Sequence, residues 1–209
     1  MRDLVLYMHM SVDGYIAPAD KASGGPTAEN ATSDAPTDDD GSIMETLVPS
    51  LTQAADTLLL GRVVADELLG YWLTAETDHP DLSRASVAYA RWASGAHKAI
   101  ISNREEHLPW ENSELLLVTS DEEMVRAVSE LKSRRGENIL VHGGVRTAQA
   151  LARLNLVDEY QLVVHPTAQG DGKPLFKGLP GNLQLQLMDA VELTHGVVFL
   201  RYRPAAPRP

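Results

Sequence analysis

Asn138-Ile139-Leu140-Val141-His142-Gly143-Gly144-Val145-Arg146-Thr147-Ala148-Gln149-Ala150 is the stretch on which the reading of the fold turns. Its opening, mostly apolar run has the length of a buried strand. The glycine pair stops it, and the residues through Ala150 and Leu154 continue as a helix. A second unit of the same kind stands upstream. Thr57-Leu58-Leu59-Leu60 reads as a buried strand, runs into Gly61-Arg62, and continues into a helix with Val63, Val64, Leu68, Leu69 and Trp72 at helical spacing. Units of this kind build parallel sheets with helices on their faces.

Working outward, Leu4 to Met10 is an apolar run suited to a strand buried on both faces, and Ser11 to Gly14 supplies turn chemistry. Leu82 to Trp92 is predicted helical, Lys98 to Ser102 and Leu115 to Val118 are predicted strands, and Asp121 to Arg134 a helix. After Asp158 the pattern changes. Tyr160 to His165 is a strand, Leu183 to Leu187 alternates Leu with Gln as a half-wet strand does, and Gly196 between Val191–Leu193 and Val197–Arg201 predicts a terminal antiparallel hairpin. The expected fold is therefore α/β: a mixed, mostly parallel central sheet flanked by helices, closed by a C-terminal antiparallel hairpin. Residues 1–203 are expected to form a single domain, and Pro204 to Pro209 a frayed tail.

Two segments resist this pattern. Pro18 to Gly41 is long, aperiodic and rich in Ala, Asp, Thr, Gly and Pro, as functional or mobile loops are. Ser42-Ile43-Met44-Glu45 has the spacing of a capping box that opens a short helix through Leu47 and Leu51.

With 209 residues and a net charge of −11, the chain is expected to avoid nucleic acid and anionic membranes, which reward clustered Lys and Arg. It has no cysteine, which removes disulfides, thiolate zinc sites and Cys nucleophiles and points to the cytoplasm. No apolar run approaches the roughly 20 residues of a membrane helix. No metal is expected: Asp38-Asp39-Asp40 lacks the alternation of a calcium loop, and the seven histidines show no metal-binding pair. His142 and His165 read as satisfied structural histidines. A serine hydrolase lacks its G-x-S-x-G turn.

Ligands of open α/β sheets collect where parallel strands end. Three predicted strand ends carry suggestive residues: Gly61-Arg62, Ser102-Asn103-Arg104, and Gly143-Gly144 followed by Val145, Arg146 and Thr147. Glycine lets a phosphate approach the backbone, and first-turn N–H groups favour an anion. Arg62 and Arg104 offer cationic forks for a 2′-phosphate, which favours NADPH over NADH. Each piece has a plainer reading as a turn, a cap or a surface arginine, and neither G-x-G-x-x-G nor a Walker sequence occurs. Ser11 and Asp13 end the first strand, as substrate-facing polar groups or as an ordinary Asp-Gly turn. Glu45 is either an inward carboxylate for an aminopyrimidine edge or the closing residue of the capping box.

The ordered set is more specific than its members. Leu4–Ala17, Asp56–Arg62, Ile139–Gly144, Leu156–Tyr160 and Gly170-Asp171-Gly172-Lys173-Pro174-Leu175-Phe176 together resemble the reductase domain of riboflavin-pathway bifunctional deaminase-reductases and its stand-alone, dihydrofolate-reductase-like relatives. Tyr71-Trp72 looks like the stand-alone branch. The resemblance implies a dihydrofolate-reductase-like fold and an NADPH-dependent reductase, usually a homodimer, acting on a small pterin-like or pyrimidine-like substrate. It places Gly61, Arg62, Ser102, Gly143 and Gly144 in the cofactor loops and Asp13 beside nicotinamide and substrate. Many relatives have a short segment after Ala17 with a Trp, which this chain lacks. That difference motivates an alternative: a non-catalytic nucleotide-binding protein that retains the fold.

Overall fold

Alternation along one strand sorts the core into two layers. The computed structural model describes residues 1–19, 40–79 and 81–205. In β1 (Leu4–Ser11), Val5 and Tyr7 enter one apolar layer while Leu4, Leu6 and Met8 enter the other, because successive strand side chains point to opposite faces. The first layer is covered by α1 (Asp40–Thr46), α2 (Val48–Ala54), α3 (Arg62–Trp72) and α5 (Arg84–Gly95), through Ile43, Leu51, Leu68 and Tyr89 among others. The second is covered by α6 (Asp121–Ser133) and α7 (Val145–Arg153), through Val128, Leu131, Ala148 and Leu151.

The central sheet has eight strands in the order β5-β4-β3-β6-β1-β7-β10-β9. Its members are β3 (Ala55–Gly61), β4 (His97–Ser102), β5 (Ser113–Leu117), β6 (Asn138–His142), β7 (Glu159–His165), β9 (Leu185–Glu192) and β10 (Val198–Pro204), besides β1. β5, β4, β3, β6, β1 and β7 are parallel, and β10 pairs antiparallel with both β7 and β9. The expected mixed sheet and terminal hairpin are therefore present. The hairpin turns at Thr194–Gly196, where His195 and Gly196 have φ of 55° and 76°, the left-handed region that Gly adopts without cost.

Several boundaries differ from the sequence reading. The first helix already begins at Asp40, so Ser42 lies inside it and not at its N-cap position, and Glu45 is exposed. The helix then breaks at Leu47, because Pro49 can stand only in the first turn of a new helix, α2. Pro204, expected to open a frayed tail, instead pairs with Leu185, and the Ala205 N–H donates to the Gln184 carbonyl, while residues 206–209 fall outside the described residues. Short β2 (Tyr15–Ala17), β8 (Lys173–Pro174) and α4 (Ala75–Asp78) carry too few residues to show a period. The readings of residues 20–39, including Asp38 and Asp39, fall outside the described residues. Among the described residues, no helix is long and apolar enough to cross a membrane.

Buried charge pins the amino-terminal edge of the parallel strands. Lys98 is 1% exposed and its ammonium donates to the carbonyls of Ser94 and Ala96 at 2.9 Å and Glu111 at 3.3 Å. Three acceptors suit the three N–H bonds of an ammonium that has given up water. Arg2 is likewise buried and reaches Asp56, Thr57 and the Glu137 carbonyl, tying the amino terminus to the starts of β3 and β6.

Candidate functional site

The direction of the crossovers locates a crevice. From β3 the chain passes through α3 to β4 on one side. From β6 it passes through α7 to β7 on the other. β3 and β6 are neighbours, so the space beyond their carboxyl ends is the switch point at which open α/β sheets receive ligands. β6 stops at His142, opposite Tyr7, while β1 runs on to Ser11, and the uneven ends leave a notch.

Glycine shapes that notch. Gly143 and Gly144 have φ of 76° and 88°, a conformation that side chains disfavour by roughly 1–2 kcal/mol. The pair is thus required by the turn. Gly61 has an ordinary φ of −74°, but a β-carbon there would lie 2.6 Å from the Thr147 hydroxyl, and one on Gly144 would lie 3.4 Å from a Val64 methyl. These glycines let the amino ends of α3 and α7 approach each other. Neither helix receives a side-chain cap at its N-cap residue, Gly61 or Gly144, so first-turn N–H groups remain for an anion. Val145 and Thr147 are buried, and Arg146 is exposed.

The expected residues of β4 stand beside this crevice, since Gly61 pairs with Ile101 and Ser102 follows. Their chemistry differs from the expectation. Arg62 is not an open fork: its Nε donates to Glu106 at 2.6 Å, a terminal nitrogen pairs with Asp66, and its guanidinium lies 5.1 Å over the Trp110 ring. The Ser102 hydroxyl donates to the other Glu106 oxygen at 2.7 Å and accepts the Arg104 N–H at 3.2 Å. Arg62, and then Ser102, hold the Glu106 carboxyl below its ordinary pKa. Asn103 and Arg104 are exposed.

On the other side of the notch, Ser11 is buried and donates to Asp13 at 2.5 Å. The Asp13 carboxylate also accepts the N–H groups of Gln169 at 3.1 Å and Gly170 at 2.8 Å. The Ser11 hydroxyl, followed by the Gly170 amide, keeps its pKa below the usual value. This geometry makes Asp13 the anchor of the loop after β7. Glu45, expected to reach inward, is exposed on α1 instead, because Ile43 and Met44 take the buried face.

The tertiary structure joins His142 and His165, expected as satisfied structural histidines, to His9, Tyr7 and Tyr89 in a polar chain. His9 bonds the Tyr7 hydroxyl at 3.0 Å through Nε2 and His165 Nε2 at 2.9 Å through Nδ1. The Tyr7 ring meets His142 edge-on at 5.2 Å, and Tyr89 bonds His142 Nδ1 at 2.7 Å. Burial, reinforced by His165 and then His142, pushes the His9 pKa down to about 3; burial alone pushes His142 to about 4. Both imidazoles are therefore neutral near pH 7. The available signal was the two-residue period of Tyr7, His9 and Ser11 on one face of β1. For Arg62 and Asp66 it was the four-residue spacing of a helical ion pair. No local pattern joins Glu106 to Arg62.

Comparison with known proteins places this arrangement. The model of the RibD C-terminal domain matches residues 2–199. Uncharacterized protein YyaP of Bacillus subtilis (strain 168) is 27% identical over 147 residues, 70% of this chain and 73% of that protein. Among solved structures, a putative riboflavin biosynthesis protein from Shewanella sp. PV-4 superposes with a TM-score of 0.64 at 21% identity, covering 99% of this chain and 100% of that one. A pyrimidine reductase-like protein from Corynebacterium diphtheriae gives 0.58 at 14% identity, over 98% of this chain and 92% of that one. The dihydrofolate-reductase-like sheet expected from sequence is thus the fold observed, and the chain belongs to the RibD C-terminal domain family.

Proposed function

We propose that this protein is a reductase that passes hydride from a reduced nicotinamide dinucleotide, NADPH by the family resemblance, to a small heterocyclic substrate of pterin-like or pyrimidine-like type. The observation that carries the reading is the convergence of two side-chain-uncapped helix starts, at Gly61 and Gly144, on the switch-point crevice. The fit is good for a diphosphate: glycine backbone on both sides, amides of the first turns, and no carboxylate in the turn from 143 to 147.

When bound, the cofactor supplies hydride from the nicotinamide C4, and the protein's part is orientation and exclusion of water. Gly61, Gly143, Gly144, Val145, Arg146 and Thr147 would hold the diphosphate region, and Ser102, Asn103 and Arg104 the adenosine end. Ser11 and Asp13 border the substrate side, with Asp13 acting through the loop it anchors. His9 is neutral and hydrogen-bonded to His165, which suits an uncharged ring edge with its own donors and acceptors. A homodimer is proposed on the resemblance alone.

Titration of the purified protein with NADPH and NADP+, followed by tryptophan fluorescence, tests the cofactor reading. Trp110, stacked on Arg62 beside the crevice, is placed to report binding. Saturable quenching is expected, and no binding at millimolar cofactor would remove the proposal. A second reading, nucleotide binding without turnover, draws on the Asp13 carboxylate being committed to three donors. It is distinguished by tight cofactor binding with no NADPH consumption across dihydrofolate, pyrimidine and quinone-like acceptors.

A further inference from the structure

Two donors at the end of β3 and β4 have the positions and chemistry to hold a 2′-phosphate: the Arg62 guanidinium and the Ser102 hydroxyl. Both are already committed to one carboxylate. Glu106 takes the Arg62 Nε–H on one oxygen at 2.6 Å and the Ser102 O–H on the other at 2.7 Å. Asp66 pairs with Arg62 as well, and Trp110 covers its plane. The Ser102 oxygen accepts the Arg104 N–H, which leaves the hydroxyl proton as its only further donor. Glu106 is thus an internal anion seated on the donors that an incoming anion would need.

We propose that Glu106 sets the cofactor preference of this protein by occupying the 2′-phosphate subsite, so that NADH is accepted about as well as NADPH. The inference rests on the reductase reading and specifies its cofactor. Three physical terms favour it. With Arg104 nearby, the charges of Arg62, Arg104, Asp66 and Glu106 cancel before any ligand arrives, so no net positive charge is left for a dianionic phosphate. A carboxylate on the same chain competes at high effective concentration. An acidic side chain beside the adenosine ribose accepts a hydrogen bond from a free 2′-hydroxyl, as dinucleotide sites selective for the unphosphorylated cofactor do. The low pKa of Glu106 keeps it charged at neutral pH.

Dissociation constants of NADPH and NADH, measured by fluorescence for the wild type and for Glu106→Gln, test the inference. The amide retains an acceptor for Ser102 or Arg62 while removing the charge, and thermal melting confirms that the variant is folded. In the wild type the two constants are expected to lie within about threefold of each other. Glu106→Gln is expected to tighten NADPH by about tenfold, with NADH changed less than about twofold. Competition by 2′-AMP, which carries the phosphate without nicotinamide, should strengthen in parallel. An unchanged NADPH-to-NADH ratio, or weaker NADPH binding in the variant, would overturn the inference alone. Failure of both cofactors to bind either protein would overturn it together with the reductase reading.

Discussion

Gly61 faces Thr147 across the ends of two helices so closely that a β-carbon on the glycine would stand 2.6 Å from the threonine hydroxyl. Gly61 ends β3, and Thr147 lies in the first turn of α7. Their contact is therefore where the two halves of the sheet meet over the crevice. Because Gly61 has φ of −74°, alanine there is strained by contact and not by backbone conformation.

Gly61→Ala should accordingly destabilise the fold by about 1–3 kcal/mol, the usual cost of overpacking, and weaken dinucleotide binding as α7 moves. Thr147→Ala removes the opposing hydroxyl, so the double variant should recover most of both losses. Urea denaturation and cofactor titration of the four proteins check this. Additive losses in the double variant would mean that the glycine serves something other than the α3–α7 approach.

Lys98 offers a second test. Replacing its ammonium with the apolar end of Met leaves the carbonyls of Ser94, Ala96 and Glu111 without this donor. Lys98→Met should cost about 2–3 kcal/mol, read from the denaturation midpoint. A neutral substitution would show that water replaces the ammonium at the end of α5.

The neutral histidines predict acid sensitivity in a defined window. His9 and His142 have folded pKa values near 3 and 4, against 6.5 for the free side chain. Below pH 6.5 the unfolded chain binds protons that the folded chain refuses, so stability is complete above that pH and falls as pH drops. At pH 5 the loss is about 2 kcal/mol for each histidine. The stabilised carboxylates lose their contribution only at lower pH, because their folded pKa values lie below the ordinary 3.8 to 4.5. Unfolding free energies at pH 7 and pH 5 should differ by several kcal/mol, and His142→Asn should shrink the difference. Equal stability at both values would contradict the neutrality of His9 and His142.

Asp13→Asn tests the loop anchor. The amide cannot accept from Ser11, Gln169 and Gly170 as the carboxylate does. Hydrogen exchange should quicken at the Gln169 and Gly170 amides while dinucleotide affinity stays within about twofold. Unchanged exchange would leave Asp13 without this structural role.

How much was legible in advance differs between strands and side chains. The apolar runs Leu4–Met10, Thr57–Leu60 and Asn138–His142 and the glycines after the latter two carried the parallel core, because burial on both faces demands continuous apolar sequence. The capping-box reading of Ser42 and Glu45 failed because the helix already starts at Asp40, and the single helix expected through Leu51 is split where Pro49 imposes a new first turn. Arg62 was legible as a cation at a strand end, but not as one already paired. Its Glu106 partner lies 44 positions away and meets it only because β3 and β4 are neighbours in the sheet.

The residue pattern by itself determined the sheet, its helices and the glycine-lined strand ends, since periodicity and backbone freedom are properties of short stretches of chain. Tertiary structure alone decided which charges and imidazoles meet: Glu106 on Arg62 and Ser102, His9 on His165, Asp13 on the loop after β7. Those encounters depend on strand order and register, which place distant residues a few ångströms apart, where electrostatic and hydrogen-bond energies are decided.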